Sequence, residues 1–77
     1  MAHKPIHQDG YYLTSQLDTG TDKRTGERAS LDVWTKYTDP NHPEFIYTIT
    51  QESGETLKTN APDYALKTWH NKTGNPL

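Results

Sequence analysis

The backbone preference of this chain changes once, at Asn60. Before that point, apolar and polar residues alternate in three segments. Tyr11, Leu13 and Leu17 fall on one side of an extended chain, and Tyr12, Thr14 and Gln16 on the other. Ala29, Leu31, Val33 and Tyr37 alternate with Ser30, Asp32, Trp34 and Lys36. Phe45, Tyr47 and Ile49 alternate with Ile46, Thr48 and Thr50. A period of two is the mark of a strand. Turn chemistry separates the segments. A polar loop is expected over 18–27 (DTGTDKRTGE), and a connection with two prolines over 38–44 (TDPNHPE). Ser53-Gly54 suits a tight turn before a short fourth strand at 56–58.

After Asn60 the signals are helical. Asn60 is a good N-cap, Pro62 is tolerated in a first turn, and Asp63 suits the positive end of the helix dipole. Lys67 and Lys72 lie toward the other end, Gly74 stops the helix and Pro76 prevents its resumption. The expected helix spans 62–72. Ala61, Pro62, Ala65, Leu66 and Trp69 share one arc of it, while Asp63, Lys67 and Asn71 lie opposite. The fold class expected is α+β: a small antiparallel three- to four-stranded β-meander with one C-terminal α-helix packed on one sheet face. Residues 1–9 carry no pattern and read as a flexible leader, with 10–77 as a single small domain.

Hydrophobic residues make up 30% of the 77, which is low for a globular domain. The net charge of −2, five Tyr, two Trp and one Phe nevertheless set the chain apart from disordered sequences. Marginal stability or self-association is expected of so small a core. The absence of cysteine excludes disulfide scaffolds, thiolate metal sites and cysteine nucleophiles. Small secreted domains usually need such staples, so a cytoplasmic location is expected. No apolar run approaches the roughly 20 residues of a membrane span, and MAHKPIHQDG contains no hydrophobic signal core.

Catalytic constellations are wanting. His70 stands beside Trp69 and reads as a helix-edge residue. Ser15, Ser30 and Ser53 lie in strands or a turn, outside any nucleophile-elbow motif. Asp39, His42 and Glu44 read as turn chemistry, and His3 and His7 precede an unpatterned segment. Gly20 and Gly26 lack the spacing of a phosphate loop, and Lys23, Arg24 and Arg28 are interleaved with Asp18, Asp22 and Glu27. No enzyme activity, metal or cofactor is expected.

One surface stands out. If the odd-numbered strand face meets the helix, Tyr12, Trp34 and Ile46 remain on the other face with no second layer to cover them. Aromatics of this kind anchor protein interfaces. Trp34 is therefore expected to be a partly exposed anchor, with Lys36 and Arg28 completing the contact. Two other arrangements stay open: the chain folds back over these residues, or a bulge flips the parity of one strand. The function expected is a non-enzymatic protein-binding module, with homodimerisation through the same face as a further option. In size and style the chain resembles accessory proteins of phages and mobile elements, many of which bind and inhibit a host or defence protein. The alternative is a small DNA- or RNA-binding domain using the sheet face, with Lys36, Arg28 and Lys23 as a local basic patch. Eight basic against ten acidic residues weigh against it.

Overall fold

The computed structural model describes residues 7–8, 10–39 and 41–75. Among the described residues, five strands and one helix follow one another: β1 (His7–Gln8), β2 (Tyr11–Thr21), β3 (Arg28–Lys36), β4 (Glu44–Gln51), β5 (Thr56–Thr59) and α1 (Pro62–Thr73). All neighbouring strands are antiparallel and their spatial order is their chain order. The fold is the expected α+β meander, with its helix on one face of the sheet.

Three boundaries differ from expectation. His7 and Gln8 pair with Tyr12 and Tyr11, so part of the supposed leader is a short edge strand. The rest of that leader, residues 1–6 and 9, lies outside the described residues, as does Pro76. The polar loop over 18–27 is shorter than its composition suggests, because β2 continues to Thr21. Gly20 lies under the end of the helix, and a Cβ there would meet Asn75 Nδ2 at 2.7 Å and Thr73 Cβ at 3.3 Å. A larger residue there would press on the Thr73 and Asn75 side chains. The helix also starts without the expected Asn60 cap. Ala61 holds the extended N-cap conformation, makes no side-chain cap bond, and places Pro62 in the first turn. At the other end the forecast is met. Gly74 takes the left-handed conformation (φ 80°), and its N–H donates to the His70 carbonyl.

The core cluster beneath the helix is small and lies toward one end of the sheet. Ala29, Leu31, Ile49 and Trp69 form it, with Leu57 packed at its side. Register explains the grouping: Leu31 pairs with Ile49, and Ile49 with Leu57, so three strands present one apolar row to the helix. From α1 only Ala65 and Trp69 are buried, whereas Leu66 and Pro62 are exposed.

Two carboxylates tie the end of the helix to the β2–β3 hairpin. Asp18 accepts hydrogen bonds from the Trp69 indole N–H (2.9 Å) and the Asn75 amide (3.2 Å). The buried Asp22 accepts from the Arg24 backbone N–H (2.8 Å) and pairs with Lys72 (3.4 Å), which also donates to Gln51. Lys23 N–H donates to the Lys72 carbonyl (2.8 Å). The Trp69 N–H holds the Asp18 carboxyl below its ordinary 3.8, and the Arg24 N–H, with Lys72, does the same for Asp22 against the opposing effect of burial. A depressed folded-state value means that this stability is present above the unfolded value and is lost as pH falls through the folded one. The melting temperature should therefore fall as acid passes below about pH 4. In Asp18→Asn or Asp22→Asn, part of that slope should vanish and stability near neutral pH should drop. A melting curve for Asp22→Asn that matches the parent at every pH would refute the clamp.

Candidate functional site: the uncovered aromatic end of the sheet

Helix length decides which part of the sheet is bare. Twelve residues of α1 span about 18 Å, whereas the nine of β3 span about 30 Å. The chain leaves β5 at Thr59, opposite Tyr47, and the helix then runs back toward Asp18 and the β2–β3 hairpin. It covers the Leu31–Ile49 half of the face. The other half carries a row across three strands, Tyr12–Thr35–Phe45. Tyr12 is 56% exposed and Phe45 is 47% exposed. Between them Thr35 is buried, and its hydroxyl is hydrogen-bonded to that of Thr14. Tyr47, one pleat along from Phe45, is half-buried.

The residues singled out from sequence do not assemble as expected. β2 contains two register shifts, between Leu13 and Ser15 and between Gln16 and Asp18. Each bulge re-phases the strand. Tyr12 consequently shares the helix-side face with Thr35, and Leu13 takes the place beside Trp34. Tyr12, Trp34 and Ile46 are not one patch. Trp34 and Ile46 are register partners on the opposite face, but they are buried, at 3% and 8% exposure. The expectation of Trp34 as a partly exposed anchor is thus corrected. Its ring is packed away, and its N–H donates to the buried Thr48 hydroxyl at 2.9 Å. Parity along a strand does not by itself measure exposure.

The basic patch also comes apart. Lys36 and Arg28 stand at opposite ends of β3, about 26 Å apart along the strand. Lys36 Nζ lies 5.5 Å from the centre of the Tyr11 ring. Arg28 is exposed, and its backbone N–H donates to Glu52. Lys23 sits in the hairpin turn. Asp39 and His42 do form a turn. Asp39 accepts from the Asn41 N–H and lies 3.0 Å from the His42 ring, while Glu44 instead accepts from the Tyr11 hydroxyl. His70 points outward. Among the described residues, no three His, Asp or Glu side chains converge on a common point, and no helix is long and apolar enough to cross a membrane.

The sequence reading overlooked the cleft at this end, which opens beside the start of the helix. Tyr11, Glu44, Phe45, Tyr47, Asn60 and Pro62 line about 430 Å³. Alternation places Phe45 and Tyr47 on the face expected to meet the helix. The signal that could have exposed them is the disparity between one short helix and three longer strands. A comparison with protein-family models, curated proteins and solved structures finds no match.

Proposed function

We propose that the protein is a non-enzymatic protein-binding module that engages its partner through the uncovered aromatic end of the sheet. The observation that supports this reading is the Tyr12–Thr35–Phe45 row: two large aromatics stand exposed on a face whose other half is sealed by the helix. Aromatic side chains give large contact area at little cost in rotamer entropy, and they dominate measured interface energies. A module with such a face acts by occupying its partner's surface, and inhibition of that partner is the mode of action we propose.

The test is capture of partners from a native lysate, with and without nuclease, by the parent and by the Tyr12→Ala/Phe45→Ala variant. Both side chains are about half exposed, so the variant should melt within a few degrees of the parent. A captured protein should survive nuclease and should be held about thirtyfold more weakly by the variant, the effect of losing roughly 2 kcal/mol at an interface centre. Retention that depends on nucleic acid, or capture indifferent to both substitutions, would defeat the proposal.

A further inference from the structure

The cleft beside the helix start has a chemistry of its own. Three of its walls are aromatic, Tyr11, Phe45 and Tyr47, and its charged member is Glu44. Glu44 accepts the Tyr11 hydroxyl proton at 3.1 Å, and among the described residues it forms no ion pair. Its register partner Lys36 lies over the Tyr11 ring instead of against the carboxylate. The cleft therefore combines π-faces with a carboxylate that, among the described residues, makes no salt bridge. Asp63 follows Pro62 in the first helical turn and adds a second acid to this end of the molecule.

The backbone of β4 extends beyond β5 at this end. Gln51 N–H donates to the Glu55 carbonyl, so alternate residues of β4 direct their backbone groups toward β5. Phe45 is in that phase. β5 ends at Thr59, opposite Tyr47, so the Phe45 N–H and C=O point past the end of β5. Such an edge can pair with an extended segment, and the pocket beside it can select a side chain.

We infer that the cleft takes a cationic side chain, arginine or lysine, from an extended segment of the partner protein, laid between Tyr11, Phe45 and Tyr47 with its charge toward Glu44. This inference rests on the protein-binding reading and specifies the partner's chemistry. About 430 Å³ is ample for one such side chain.

The probe is a short capped peptide of β-forming residues with a central arginine, compared with its citrulline and norleucine counterparts. Binding is followed through the backbone amide NMR signals of the intact chain. The arginine peptide should shift Phe45, Tyr47 and Asn60, and bind about tenfold more tightly than the isosteric but neutral citrulline peptide. Glu44→Gln, an exposed substitution, should abolish that preference while leaving the spectrum folded. Citrulline binding as tight as arginine, or an arginine preference that persists in Glu44→Gln, overturns the inference. No shift at these amides with any peptide overturns it too. The lysate capture is read independently: loss of capture in Tyr12→Ala/Phe45→Ala, together with no arginine preference, would remove this inference and leave the protein-binding reading standing.

Discussion

Trp69→Ala should leave the protein largely unfolded at physiological temperature. Trp69 is fully buried, and it is the residue through which the helix joins Leu31, Ile49 and Ala29. Truncating a buried tryptophan costs about 3–5 kcal/mol through lost transfer energy and the cavity left behind. A chain of 77 residues has only about 4–12 kcal/mol in total. The substitution also strips Asp18 of its indole donor, and so loosens the clamp on the β2–β3 hairpin. Trp69→Phe separates the two contributions, because it keeps most of the ring and removes the N–H. It should melt between parent and alanine variant. Thermal denaturation followed by circular dichroism reads both. A Trp69→Ala protein melting within a degree or two of the parent would mean that the helix does not hold the sheet.

Trp34→Ala should be nearly as damaging, although Trp34 lies on the face away from the helix. At 3% exposure it is as much a core residue as Ala29. Its removal opens a cavity and also leaves the Thr48 hydroxyl, itself 1% exposed, without the indole donor. A buried hydroxyl stripped of its partner costs about 1–3 kcal/mol beyond the packing loss. A loss of about 3 kcal/mol lowers the melting temperature of a domain this size by roughly 12–24 °C. Trp34→Phe should recover most of the packing but not the hydrogen bond. A Trp34→Ala variant that keeps its melting temperature would restore the residue to the surface and make it a contact residue again.

Most of the secondary structure follows from local preferences. The three alternating segments are β2, β3 and β4, and the turn at Ser53-Gly54 places Gly54 at φ 99°. The helix keeps its Pro62 start, its Gly74 stop and its burial of Trp69. These features depend on residues within a few positions of one another: alternation, proline's fixed φ and glycine's access to positive φ.

Faces and exposure were decided elsewhere. The two bulges in β2 arise from its pairing with β3, residues far along the chain, and nothing in Tyr11–Leu17 announces them. Because side chains alternate, each extra residue moves the rest of the strand to the other face. The bulge between Leu13 and Ser15 is the one that puts Tyr12 with Phe45 rather than Trp34; the bulge between Gln16 and Asp18 brings the far end of the strand back into phase with Tyr12. Exposure depended on a comparison of lengths that no single segment contains, a helix of about 18 Å against strands of up to about 36 Å. Local sequence determined which segments are strands and which is helix, since those preferences are carried by each residue's own backbone and its neighbours. Only the tertiary structure decided that Trp34 is core and Phe45 is surface, because burial belongs to the packed layers and not to the strand.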